Sequence, residues 1–170
     1  MSFAFGHLVG AWLLGKAYEK IAKKKIPALA WFLLLFGSIL PDADFLLDWT
    51  LGTELHRTFT HSFIFLITAP ILVYVFLWKK TERKHYSLAL AGGILSHLLL
   101  DMLSTPGVPL FWPSFLHIRY TSIQWIDPAS VGLFMGELET FKTRLQHAIL
   151  DMAIGTAWIL YLTIRKRIQF

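Results

Sequence analysis

Two pairs of residues share a spacing suited to cation binding: His97 with Asp101, and His147 with Asp151. Residues four apart lie on one helical face, so each pair can clamp a common ion. An imidazole nitrogen beside a carboxylate oxygen is the donor set of zinc and related divalent metals. The chain has no cysteine, which excludes thiolate sites and thiol nucleophiles. Further donors stand apart along the sequence: His7, the run Pro41-Asp42-Ala43-Asp44, and the run His56-Arg57-Thr58-Phe59-Thr60-His61-Ser62. A proline ahead of Asp42 and Asp44 ends a helix, so a loop can present either carboxylate. His56 and His61 are five apart and do not share an ideal helical face, which puts His56 on a loop. His85, among the basic residues beside Lys84, and His117, in a loop without partner spacing, read as surface residues.

The elements that must carry these groups are apolar. Of 170 residues, 55% are hydrophobic and 16% charged, against roughly 25% charged in a soluble domain. Disordered tails, coiled coils and ordinary water-soluble enzymes are excluded. Five stretches stand out: 3–22, 26–40, 59–78, 86–103 and 148–164. A membrane-spanning helix needs about 17–25 mostly apolar residues; the third stretch meets this outright, the first, fourth and fifth with polar exceptions, and the second is short. The first stretch does not read as a signal peptide, because its first basic residue, Lys16, follows the apolar run. The expected fold is all-α: a polytopic membrane bundle of about five helices forming one domain over 1–170. Residues 104–143, rich in proline and aromatic residues, are expected to form an interfacial capping loop with short helices.

Charge sorting sets an orientation. With alternating helices, one side collects Lys16, Lys20, Lys23, Lys24, Lys25, Lys79, Lys80, Arg83, Lys84, Arg165, Lys166 and Arg167, which is 12 of the 16 basic residues. Lys and Arg gather on the cytoplasmic side, so the histidines and acids fall on the extracytoplasmic side. Topology accounts for the net charge of +5, and no nucleic-acid partner is expected. Ionisable groups in membrane helices are expensive and face an interior where they work, which favours a metal site over packing.

His7, Pro41-Asp42-Ala43-Asp44, His56-Arg57 with Thr60-His61-Ser62, and Ser96-His97, Asp101, Thr105, Gly107-Val108-Pro109 and Trp112-Pro113 resemble, in order, the motifs of the YdjM-type family of bacterial inner-membrane, metal-dependent hydrolases. The resemblance covers about residues 1–115 and, more loosely, the helix bearing His147 and Asp151. A more distant similarity is to zinc-dependent phospholipase C and the fungal single-strand nucleases, helical proteins whose three-zinc cluster cleaves phosphate esters. This chain departs from them in reading Met1-Ser2 rather than an N-terminal Trp, and Ser104-Thr105-Pro106-Gly107 where they place a further His. One or two ions are therefore expected.

The resulting expectation is a metal-activated water attacking a phosphoester, in a lipid or lipid-linked substrate, at the outer face of a cell (inner) membrane. His61, His97, Asp101 and Asp44 form the primary site, with a second ion reached through His7 or His56; His147 completes the ligand list. Asp42 or Asp151, left off the metal, orients water or acts as general base. Arg57 either holds a phosphate or pairs with a neighbouring Asp. Thr60 and Ser62 read as helix caps. Zinc is the first choice of metal, with Mn or Fe as alternatives, and membrane lipids are the expected surroundings. Gly6 and Gly10 have the spacing of a homodimer contact. The rivals are an ion or metal transporter, which would carry polar groups through the whole membrane thickness, and a non-catalytic protein with a closed structural metal site.

Overall fold

The computed structural model describes residues 4–51, 57–103, 107–125 and 137–164, with the side chains at 45–47, 49, 124–125, 137–148 and 163–164 excepted. Six α-helices and one β-hairpin form among these residues: α1 Ala4–Ala22, α2 Ala28–Gly37, α3 Asp44–Leu51, α4 Phe63–Phe76, α5 Arg83–Asp101, strands β1 Leu116–Ile118 and β2 Ile123–Trp125, and α6 Glu137–Ile164. Short 3-10 turns at Leu40–Ala43 and Phe59–His61 precede α3 and α4.

Helix α5 packs against α1, α2 and α4. Its Leu90, Ile94 and Leu98 form the core with Leu33 of α2, Ala69 of α4, and Val108 and Leu110 beyond α5. The α2–α5 crossing runs backbone to backbone. A Cβ on Gly37 would sit 2.5 Å from the Leu90 carbonyl oxygen, and one on Gly93 would strike the Leu34 carbonyl and come within 2.9 Å of the Gly37 Cα. Gly10, by contrast, packs under Leu100 of α5.

The turn between α1 and α2 is pinned by Glu19, which accepts from the Ile26 N–H (3.0 Å) and the Trp31 Nε1–H (3.4 Å) and pairs with Lys16. Lys23, at φ 52°, makes the left-handed step that stops α1. This turn and the α4–α5 connection hold Lys23–Lys25, Lys79 and Lys80. They lie at the ends of α1, α4 and α5 opposite His7, His61 and Asp101.

Two expectations need correction. The third stretch is not one helix over 59–78. Thr58 to His61 closes into a 3-10 turn, Ser62 caps the next helix by accepting from the Phe65 N–H (3.3 Å), and α4 is left with 14 residues. At 1.5 Å per residue that is only about 21 Å. Among the described residues no helix is long and apolar enough to cross a membrane. Secondly, the described residues 107–125 of the capping segment form a β-hairpin rather than short helices. Residues 116–125 pair antiparallel, Leu116 with Trp125 and Ile118 with Ile123, because apolar and polar residues alternate there with period two. The outer surface is nonetheless strongly apolar: Leu13, Phe32, Ile67, Leu72, Leu88 and Met152, from five different helices, are all exposed.

Candidate metal centre

Three elements deliver the donors. Pro41 opens the 3-10 turn that carries Asp42; the turn before α4 carries His61; the last turns of α5 carry His97 and Asp101. One ligand atom from each of Asp42, His61, His97 and Asp101 falls within 4.8 Å of all the others. His61 Nε2 lies 3.2 Å from His97 Nε2, 3.5 Å from Asp42 Oδ1 and 3.7 Å from Asp101 Oδ2. His97 Nε2 lies 3.6 Å from Asp42 Oδ1 and 3.8 Å from Asp101 Oδ2. Both imidazoles are fully buried and the Asp101 side chain is 3% exposed; Asp42, at 25%, reaches the surface.

The second nitrogen of each imidazole fixes what the first offers. His97 Nδ1 sits 2.8 Å from the Ser38 carbonyl oxygen. A carbonyl only accepts, so Nδ1 donates and Nε2 is a lone pair. The Thr60 hydroxyl donates its proton to Asp44 Oδ2 and lies 3.0 Å from His61 Nδ1. It therefore accepts from that nitrogen, and His61 Nε2 is a lone pair as well. Two imidazole lone pairs and two carboxylate oxygens converge with no proton between them. Such a set repels itself unless a cation sits among its members, and its nitrogen and oxygen donors fit a divalent metal.

The structure thus divides the expected residues. Asp42, not Asp44, joins His61, His97 and Asp101. The 3-10 turn aims Asp42 inward, while Asp44 begins α3 and braces His61 through Thr60, with Oδ2 also 3.7 Å from His61 Nδ1. Thr60 is accordingly no helix cap. His7 stacks on His97 with ring centroids 3.8 Å apart, and its Nε2 lies 3.4 Å from Asp101 Oδ1 and 4.0 Å from Asp42 Oδ2. Asp151 stands elsewhere: it accepts from the Phe5 N–H (3.2 Å) and the Gly6 N–H, capping the start of α1 one residue before His7. Arg57 meets Asp101 Oδ2 at 3.1 Å and the Gly107 carbonyl at 3.0 Å, the ion-pair alternative of its two readings. Its φ of 61° is unusual for a residue with a side chain. His56 lies outside the described residues, as does the side chain of His147, whose backbone is one turn ahead of Asp151 in α6.

Three participants were missed from the sequence. Ser38 acts through its carbonyl, which no side-chain pattern reveals. Thr60 was misassigned. His117, read as a surface residue, is 5% exposed and hydrogen-bonds to the backbone of Gly107. Burial and the neighbouring Arg57 charge push its pKa below the ordinary histidine value.

Over residues 1–168 the sequence matches the profile of the YdjM inner membrane protein family. The chain belongs to that family. It is 35% identical over 149 residues to "Inner membrane protein YbcI" of Escherichia coli strain K12, covering 82% of each chain. It is 34% identical over 64 residues to "Uncharacterized protein YvsG" of Bacillus subtilis strain 168, covering 38% of each. No solved structure matches it. Membership assigns the chain to the inner membrane, which accords with its apolar exterior.

Proposed function

We propose that this YdjM-family protein is a membrane-embedded, metal-dependent hydrolase of ester bonds, in the first instance phosphoesters of lipid or lipid-linked substrates. Asp42, His61, His97 and Asp101 hold one divalent ion, zinc by preference. The observation that carries the reading is the convergence of four lone-pair donors, three buried and one at the surface. A structural site is closed on all sides, whereas a catalytic one keeps a position for water. The 25% exposure of Asp42 supports a site open on that side.

When bound, such an ion makes water acidic enough to yield a nucleophile near neutral pH and offsets charge growing on a phosphoryl oxygen. The residues of the chain do the rest. Ser38 and the Thr60–Asp44 pair hold the two imidazoles in the tautomers that ligate. Arg57 holds the Asp101 carboxylate in place, and His7 buttresses the outer oxygens of Asp42 and Asp101. The basic ends of α1, α4 and α5 lie at the cytoplasmic face by the charge rule, so the site opens outward, at headgroup level.

The test is metal analysis of detergent-purified protein, with hydrolysis assayed on phospholipid and generic phosphodiester substrates. Metal in the wild type that is lost in His97→Ala and Asp101→Ala, together with metal-dependent turnover, is expected. Metal retained in both variants refutes the site. Metal bound without turnover on any ester refutes the enzyme.

A further inference from the structure

The β-hairpin carries side-chain polar atoms that neither the fold nor the metal cluster engages. Its strands run apolar on one face, with Leu116, Ile118 and Ile123, and Ile118 packs against the core. On the other face His117 and Arg119 are two apart, and Arg119 pairs with Ser122 across the turn through its N–H to the Ser122 carbonyl (2.9 Å). His117 Nδ1, Arg119 Nε and Ser122 Oγ are all buried, and among the described residues none of the three atoms has a hydrogen-bond partner. Buried polar atoms are satisfied in all but a few cases. Three exceptions on one face of one hairpin call for a ligand.

The location is close to the metal cluster. A Cβ on Gly107, at φ 92°, would lie 2.6 Å from Arg119 Cγ, so Arg119 lies over Gly107. The Gly107 carbonyl accepts from Arg57, whose other nitrogen meets Asp101. Arg57 is thus already engaged. Among the described residues at this end, Arg119 is the basic side chain with no carboxylate beside it.

The chemistry narrows the ligand. Arg119 and Ser122 present N–H and O–H donors, and a guanidinium matches the oxygens of a tetrahedral oxyanion. His117 is bonded to Gly107 and held neutral, so its Nδ1 offers a lone pair. Two donors and one acceptor complement a phosphate that keeps a proton, as inorganic phosphate does near neutral pH and a phosphate monoester does in its monoanionic form, below a second pKa of about 6. Sulfate and phosphodiesters have no such proton near neutral pH.

We propose that His117, Arg119 and Ser122 form a subsite for a protonated phosphate group, one guanidinium away from the metal ligands. Its part in turnover rests on the hydrolase reading above; its binding of phosphate does not. Within that reading the subsite favours phosphate monoesters as substrates or products.

The experiment is calorimetric titration of the full chain in detergent micelles near pH 7, after chelation of metal. Sodium phosphate, sodium sulfate, and micelles doped with phosphatidate or phosphatidylcholine are the probes. Phosphate is expected to bind at least about tenfold more tightly than sulfate, and Arg119→Gln to weaken it by about tenfold or more, the scale of one hydrogen bond to a charged group. Arg119→Lys keeps part of the affinity, and the melting temperature and metal content of both variants match the wild type. Competition by phosphatidate but not phosphatidylcholine identifies a lipid headgroup as the source; binding of inorganic phosphate alone identifies the free anion. Absence of phosphate binding, equal binding of sulfate or phosphatidylcholine, or an affinity unchanged by Arg119→Gln overturns the proposal. Phosphate binding without ester turnover leaves the subsite standing and removes the hydrolase.

Discussion

His61 and His97 point their Nε2 atoms at each other across 3.2 Å, while their Nδ1 atoms are committed to Thr60 and to the Ser38 carbonyl. Neither facing nitrogen has a proton to give. Two facing lone pairs suit a cation between them, and Thr60 and the Ser38 carbonyl fix that arrangement from behind. Replacing Thr60 by Val, or Asp44 by Asn, is expected to weaken metal binding about 10- to 100-fold. Competition with a chromogenic chelator measures this, and an unchanged affinity in both variants removes the bracing role.

Asp151 separates ligation from support. Asp151→Ala loses the acceptor at the start of α1, at a cost of about 0.5–2 kcal/mol as for other N-caps, with bound metal per chain unchanged. Thermal unfolding and metal analysis of the same sample decide. A variant that unfolds normally but carries no metal makes Asp151 a ligand.

The α2–α5 crossing leaves no room at Gly93. Gly93→Val is expected to destabilise the fold by at least about 1–3 kcal/mol, the usual cost of overpacking, and to weaken metal binding by shifting Ser38 away from His97. Gly92→Ala is the control: a Cβ there meets nothing closer than 3.4 Å. Equal melting temperatures for the two variants contradict the tight crossing.

Arg57 and Asp101 form an ion pair with side chains 7% and 3% exposed. Arg57→Met leaves a buried carboxylate without its cation, and breaking such a pair costs about 3–5 kcal/mol. Saturating zinc returns part of this loss by supplying charge to Asp101. Denaturant titration with and without zinc tests it; a loss of stability that zinc does not touch separates Arg57 from the site.

His117 gives the pH dependence a sign. Its folded pKa lies below the ordinary value of 6.5, so the unfolded chain takes up a proton that the folded chain refuses. Stability contributed by the neutral imidazole is complete above that value and falls as pH drops through it. Unfolding measured between pH 8 and 5 should lose this component in His117→Gln. An identical slope in the variant assigns the dependence to other groups.

Much of the site could be read from spacing. His97 and Asp101 share a face because a helix repeats every 3.6 residues, and that inference needed nothing tertiary. Asp42 and Asp44 were not separable, since both follow Pro41 and only the 3-10 turn decides which one points inward. The hairpin escaped because Tyr120-Thr121 lacks the Gly or Asn that marks a tight turn, although Leu116-His117-Ile118-Arg119 alternates. Helix α4 was overextended because hydropathy does not register that His61 must leave the helical path to reach α5. Asp151 shares the spacing of Asp101, and its different use follows from the helix end it meets.

The Gly37–Gly93 crossing also bears on how relatives of this protein can diverge. Main chain against main chain leaves no side chain to repack, so drift at these two positions has no cheap compensation. The mouth around Asp42 is free of that constraint. Homologues are then expected to keep the four-donor cluster rigid while altering its surroundings, which makes the rim the place to look for differences among them.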